Sequence, residues 1–347
     1  MHDRESAERP LLGRSLAAAA LVCACFAGPS WAGETVSSDA VRQNLYATCF
    51  VDDRVGWAVG DLGRIFRTDD ATATWNVQSA GVKRPFVAAA CVDADNAFIA
   101  GQAGQIARTS DAGATWTMLD SGVDRQLLSI AFADARTGIA VGDYGTILRT
   151  EDAGATWTRV PVPTETQLPE EYFGIVEPGD IVLYSVQWSS AEHVSIAGEF
   201  GVILVSNDGG RTFAPQSSGV DTTLFGIFFA DDQRGWAVGM ESVLLSTVDG
   251  GATWKRERIQ TPPGFSLALY DLEVRGNRGW AVGNSGFLLT SDDAGVTWKL
   301  VQVPPQMGSY WFREVSLLAS GKGFVVGSTG MVLTLDGAGF KANKDEL

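Results

Sequence analysis

Arg67, Arg108 and Arg149 recur 41 residues apart, each directly ahead of a Thr that opens a short acidic segment. Guanidinium groups held at one position of successive repeats share one surface. Such a strip binds the carboxylates of an acidic protein segment or a carboxylate ligand through charge-assisted hydrogen bonds. Arg64 precedes the same stretch in the first repeat, and Lys83, Arg84 and Arg125 precede other apolar strands. The alternative is local: each Arg neutralises a neighbouring acid among Asp69, Asp70, Asp111 and Glu151. Spacing alone leaves both open.

Candidates for bond-making chemistry are fewer. With 2 His in the chain, His2 and His193, a His-based metal site is excluded, and His193 reads as a surface or packing residue. There is no Gly-x-Ser-x-Gly elbow, no dinucleotide fingerprint opening a βαβ unit and no phosphate loop. Asp143 and Glu199 are the carboxylates that can approach a central channel if the repeats close into a ring. We therefore expect no catalytic residue, cofactor, metal or small-molecule substrate. The balance of 26 Lys+Arg against 41 Asp+Glu, a net charge of -15, argues against nucleic acid or an anionic membrane surface as the main partner. A basic patch can still lie within that balance.

The elements that must position these residues are repeats. The octet Ser/Thr-x-Asp-x-Gly-x-Thr-Trp/Phe recurs at 68–75, 109–116, 150–157, 206–213, 247–254 and 291–298, with a version one residue short at 334–340. Ahead of each lies an apolar strand ending in Gly, such as Gly-Trp-Ala-Val-Gly at 56–60, 235–239 and 279–283. The aromatic anchors step by 41, 41, 56, 41, 44 and 42 residues. Each period holds four short extended runs joined by turns, which is the signature of a propeller blade. One blade cannot bury both faces alone, so blades stack around an axis. The fold expected is all-β: a seven-bladed β-propeller of four-stranded antiparallel blades with Asp-box turns, in one domain over 33–347. Many of the 40 Gly fall at the turns. The box carboxylates Asp70, Asp111, Asp152, Asp208, Asp249, Asp293 and Asp336 are expected to accept hydrogen bonds from turn amides, so replacing Asp152 loosens a turn. The box aromatic should begin the outer strand, and 35–46 are placed to help close the ring. Three stretches depart from the repeat: 161–182, 261–265 and 303–312. Insertions in repeat proteins map to loops that bind partners, which nominates Tyr172, Phe173, Tyr310, Trp311 and Phe312. The alternative is that they fold down as lids over blade edges.

Residues 1–32 read as an export leader: a polar start, an apolar run over 15–28, and Ser30 and Ala32 at the positions a signal peptidase reads. An uncleaved anchor, or lipidation at Cys23 or Cys25, is the alternative. The mature chain then keeps Cys49 and Cys91. Aligned by the repeat, Cys49 matches Ala90 and Cys91 matches Phe50, so the two thiols should point to opposite faces of their strands and stay free. The terminal Lys344-Asp345-Glu346-Leu347 spells an endoplasmic reticulum retention signal. The Ala-rich leader and the lack of an Asn-x-Ser/Thr site favour a bacterial periplasm.

The segments GWAVGDLGRIFRTDDATATW (56–75) and GIAVGDYGTILRTEDAGATW (138–157) resemble the Ycf48/HCF136 family of photosystem II assembly or stability factors and its non-photosynthetic bacterial relatives. The resemblance covers about 41–340. It implies an exported, non-catalytic, monomeric seven-bladed propeller that binds a membrane protein or its assembly intermediate. An Arg patch like that of the family would fall on Arg67, Arg108 and Arg149. The box also occurs in sialidases and other BNR-repeat glycosidases, which makes a sialidase-like glycoside hydrolase or a carbohydrate-binding module the alternative. Their Arg-Ile-Pro motif and Tyr/Glu/Arg set have no counterpart here.

Overall fold

The computed structural model describes residues 34–172, 174–260, 266–337 and 339–344. Residues 1–33, which include the expected leader, as well as Phe173, the 261–265 insertion, Ala338 and the last three residues lie outside the described residues. Seven antiparallel sheets follow one another along the described chain. Their inner strands are Leu45–Phe50, Phe86–Cys91, Leu127–Phe132, Leu183–Trp188, Leu224–Phe229, Leu269–Arg275 and Phe312–Leu317. The second strands, from Gly56–Gly60 to Lys322–Gly327, are buried on both faces, as expected where each sheet is sandwiched between two others. Two blades carry a fifth strand. Thr35–Ser37 pairs antiparallel with the outer strand of blade 1, and Ile259–Gln260 pairs parallel with that of blade 6. The outer strand contains the box aromatic in blades 1 and 6, whereas in blade 3 it is only Thr158–Arg159, beginning after Trp157.

Two ends of the ring follow from strand direction. At one, the second strand turns into the third and the chain passes to the next blade; we call this the turn face. The other bears the hairpins and the Asp boxes, and we call it the box face. In six blades the box works alike. Asp70 accepts from the Thr74 amide at 2.9 Å, the Thr74 hydroxyl at 2.7 Å and the Thr68 hydroxyl at 2.9 Å. The same set surrounds Asp111, Asp152, Asp208, Asp249 and Asp293. These bonds hold the Asp152, Asp208 and Asp293 carboxyls down at about 2. Asp336 is different. Its box is one residue short, so Phe340 stands where the others have the Thr hydroxyl, and Asp336 pairs with Gly339 in a continued hairpin.

The hub follows a rule that corrects the expectation for the cysteines. Each inner strand is a sheet edge, and its axis-facing amides have no strand to pair with. Where an acceptor exists, the preceding blade supplies it from one residue position to the next. Ser129 Oγ accepts from Val186 N (3.2 Å), Ser185 Oγ from Ile227 N (3.4 Å) and Asp271 Oδ2 from Val315 N (2.9 Å). One pleat further along, Gln187 Oε1 accepts from Phe229 N (3.0 Å) and Glu273 Oε2 from Leu317 N (2.7 Å). Cys49 and Cys91 occupy these same two positions in blades 1 and 2, and they form a disulfide with 5.6 Å between Cα atoms. The two thiols therefore meet across the seam instead of pointing apart as expected. Neighbouring blades meet through opposite faces, so equivalent strands contact one another through residues of opposite parity.

Closure follows the expectation for residues 35–46, but through side chains and not through a shared strand. Residues 35–37 stay within blade 1, and all four strands of blade 7 come from the C-terminal end. The seam is closed by side chains. Phe50 stacks on Phe324 (3.9 Å) and Tyr46 on Trp311 (5.6 Å), while Asn343 Nδ2 donates to Ser38 O (2.7 Å) and Asn44 Oδ1 accepts from Thr329 N (2.9 Å).

Asp70→Ala, which strands a turn amide and two hydroxyls, is expected to cost about 1–2 kcal/mol in chemical denaturation. Asp336→Ala is expected to be neutral within error. Equal effects would show that the box bonds do not stabilise the blades. The double substitution Cys49→Ser/Cys91→Ser should lower stability by about 2–4 kcal/mol, and a thiol reductant should reproduce that loss in the parent but not in the variant.

Candidate functional site

The site begins with a backbone irregularity repeated in every blade. The pairing of each inner strand with its neighbour slips after the first residue. A bulge of this kind re-aims one side chain. The re-aimed residues are Tyr46, Val87, Leu128, Tyr184, Phe225, Tyr270 and Arg313, all of which line a cavity of ≈ 140 Å³ on the axis. Phe225 meets Tyr184 edge-on at 4.9 Å and Tyr270 at 5.5 Å, and the Arg313 guanidinium lies 5.1 Å from the Tyr270 ring centre. The mouth is thus aromatic, with one cation.

Asp271, Glu273 and Glu314 line the same cavity. Their carboxyls face the enclosed space yet are surrounded by the ring, so burial pushes all three up, Asp271 to about 7. Like charges add to this for Asp271 and Glu314, while Arg313 opposes it. Each carboxyl also accepts a neighbouring-blade amide, that of Thr48 in the case of Glu314. Asp143 and Glu199 stand at the rim. Their charges, after burial, raise the Tyr184 hydroxyl, and Glu199 is tied to Val182 N at 2.8 Å.

The Arg residues divide between the two ends. Arg64 is exposed at the turn face, while Arg67 lies toward the box face with its side chain 8% exposed. Arg67 stacks on Trp57 at 5.2 Å and pairs with Asp69 at 3.8 Å. Arg108 stacks on Phe98 at 5.5 Å. Arg149 donates to Gly209 O in the next blade's box (2.7 Å) and to Glu151 (2.6 Å). Flat cations inserted over aromatic rings are the geometry found, with local pairing for Arg67 and Arg149. Phe312 is 0% exposed as the first residue of its inner strand, which takes it off the surface. Trp311 and Tyr310 are half-buried, Trp311 against Tyr46. Tyr172 covers Phe200 at 4.5 Å.

One cluster escaped sequence reasoning. Ser189 Oγ lies 2.7 Å from His193 Nδ1 and 2.8 Å from Asp232 Oδ1. The carboxylate holds the serine and not the imidazole, so the connectivity is not that of a nucleophile triad. Burial pulls the His193 ring below its ordinary value, which suits a packing role. Nothing in the spacing could have found it, because Asp232 comes from the next blade.

The family model for photosynthesis system II assembly factor YCF48 matches residues 67–181 and 215–310, more than half of the chain. The chain belongs to the YCF48 family. No curated protein matches the sequence significantly. Among solved structures, YCF48 bound to a D1 peptide is 19% identical, with a TM-score of 0.68 over 87% of this chain and 94% of that one. YCF48 from Cyanidioschyzon merolae is 18% identical, with a TM-score of 0.66 over 85% of this chain and 96% of that one. The GH74 xyloglucanase from Xanthomonas campestris reaches 0.64 at 15% identity over 87% of this chain, but only 53% of its own. At such identities these structures establish the fold. The YCF48 ring is one architecture that also carries glycosidases, so architecture alone does not decide between binding and catalysis.

Asp271→Asn keeps an acceptor for the Val315 amide and removes the charge. With a folded value of about 7 against an ordinary 3.8, the folded state binds more protons between those limits. Asp271 therefore contributes stability that is complete below about 4 and is lost as pH rises through 7. The variant's Tm relative to the parent should rise from pH 5 to pH 8. A difference that does not change with pH would show that Asp271 is not desolvated.

Proposed function

We propose that this protein is a non-catalytic propeller that docks on a protein partner and serves as an assembly or stability factor for a membrane protein complex. Family membership carries this reading, and the relative bound to a D1 peptide supports a ring that takes a polypeptide. The ring also offers a suitable surface. The aromatic mouth at the turn face, Trp311 beside Tyr46, and exposed Arg64 combine the large amphipathic side chains and cations that dominate protein interfaces. Tyr172 and Tyr310 extend the same surface onto the connections between blades. Arg67, Arg108 and Arg149 act in this reading from within the seams, setting the spacing of blades 1 to 4. The Cys49–Cys91 bridge supports an oxidising compartment, as the leader does, and we assign the protein to the periplasmic side of an envelope, acting as a monomer.

The glycosidase alternative rests on the fold shared with GH74 enzymes. Against it, the axial carboxyls are engaged by amides, and a space of ≈ 140 Å³ is below the several hundred Å³ of small-molecule sites.

Crosslinking in the intact envelope tests the docking reading. The parent chain should recover a defined membrane-protein subunit. Arg64→Glu combined with Trp311→Ala should reduce that recovery at least roughly tenfold, given hot-spot costs of about 2 kcal/mol. Arg64→Glu alone, at an exposed side chain, should reduce it in the same direction with Tm near the parent's. Equal recovery of every partner would remove this surface from the proposal.

A further inference from the structure

The turns joining second to third strands carry a conformational oddity. Their central residues all have left-handed φ: Leu62 (60°), Ala103 (54°), Tyr144 (54°), Phe200 (57°), Glu241 (56°), Ser285 (52°) and Thr329 (54°). Glycine is the residue that fits such a backbone at least cost, and a bulky side chain there is rare. Leu62 is nevertheless 62% exposed and Tyr144 50% exposed, with Met240 at the blade 5 turn 45% exposed. About half or more of the Leu62, Tyr144 and Met240 surfaces stays in water, so the fold gains little from their size. They occupy matching turns of their blades and so stand at one level of the ring, where a flat surface meets them together.

Charge is arranged around the same sector. Arg64, Lys83 and Arg84 are exposed and form no ion pair among the described residues. They are neighbours, since a side chain on Gly63 would collide with the Val82 carbonyl and approach that of Arg84. Arg125 continues the sector, its guanidinium 4.3 Å from the Tyr144 ring centre. Acids share the blade 3 end of this sector, where Asp120, Asp124 and Asp180 lie around Tyr144 and Arg125. At the blade 1 end Asp61 is held by the Tyr46 hydroxyl at 2.8 Å, so the excess of cation lies over Arg64, Lys83 and Arg84 beside Leu62. Unpaired cations beside level apolar tips, in a chain of net charge -15, make a local exception to the overall charge.

We infer that the turn face over blades 1 to 3 docks on an anionic lipid surface. Leu62 and Tyr144 enter the headgroup boundary, and Arg64, Lys83 and Arg84 meet lipid phosphates. Leucine and tyrosine are interfacial residue types, and a basic cluster supplies the electrostatic half of peripheral binding. Glu241, Ser285 and Thr329 stand at the matching positions of blades 5 to 7, where Met240 is the exposed apolar side chain. Blades 1 to 3, which carry the Arg64, Lys83 and Arg84 cluster, therefore make the closer contact. This orients the mouth toward a membrane-embedded partner, although the lipid contact stands without that partner.

The test is flotation of the mature chain with protein-free vesicles, either of phosphatidylcholine alone or containing one-third phosphatidylglycerol. Binding is expected only with the anionic vesicles and should fall as salt rises. Arg64→Glu/Lys83→Glu/Arg84→Glu should lower the partition coefficient by at least tenfold, on the order expected for three charges at an anionic surface. Leu62→Gly/Tyr144→Gly removes the tips at positions where glycine suits the backbone. It should weaken binding without lowering Tm, which separates lost contact from lost folding. Val248→Asp/Val296→Asp, at exposed box-face positions, should bind like the parent. Failure of the parent to float with anionic vesicles, or flotation that survives both turn-face variants, overturns the inference. Binding of those sites to a purified acidic protein segment but not to vesicles overturns it equally, in favour of a protein ligand.

Discussion

A ring of sheets has an unavoidable problem at its centre. Every inner strand is an edge, and its outward amides face a narrow axis where water has little room. A buried, unpaired amide costs about as much as a hydrogen bond contributes. The chain meets this constraint by letting one blade serve the next: Ser129, Ser185, Gln187, Asp271 and Glu273 each reach across a seam to a neighbouring amide. Because the rule moves one residue along at each crossing, it joins blades of unlike sequence. Where blades 1 and 2 carry only Ala and Cys at these positions, a disulfide takes the same place.

The same constraint explains why carboxylates sit where their charge is poorly solvated. Asp271 and Glu273 are acceptors first, and their raised values are the consequence of doing that work inside the ring. Gly226 shows the other solution. A side chain there would press on the backbone at Tyr270 and Asp271, so blades 5 and 6 approach closely and no acceptor is inserted.

With the hub and the boxes satisfied internally, most of the turn face is left to side chains that reach into the mouth or into solvent. The bulges aim Tyr46, Tyr184, Phe225 and Tyr270 into the mouth, and the turns raise Leu62 and Tyr144 around it. A rigid ring that presents amphipathic side chains at one end is a surface for holding something large. The box face, by contrast, spends its carboxylates on its own turns, and its Arg residues on stacking and local pairs.

Periodicity in the sequence determined the number of blades, the box and the role of six of its seven aspartates, because these depend on contacts within one repeat. The truncated seventh box was visible too, although its loss of the Thr hydroxyl became clear only beside the other six. What lies between repeats could not be read. The repeat aligns Cys49 with Ala90 and Cys91 with Phe50, but parity along a strand says nothing about which face the next blade presents, so the bridge is not legible there. The strip of Arg67, Arg108 and Arg149 was located by spacing, but whether a guanidinium points outward or lies over Trp57 or Phe98 depends on the neighbouring strand. The axial acids and the apolar tips come from separate stretches of chain in different blades. Only closure of the ring, which puts distant residues at one radius and one level, makes them a mouth and a face.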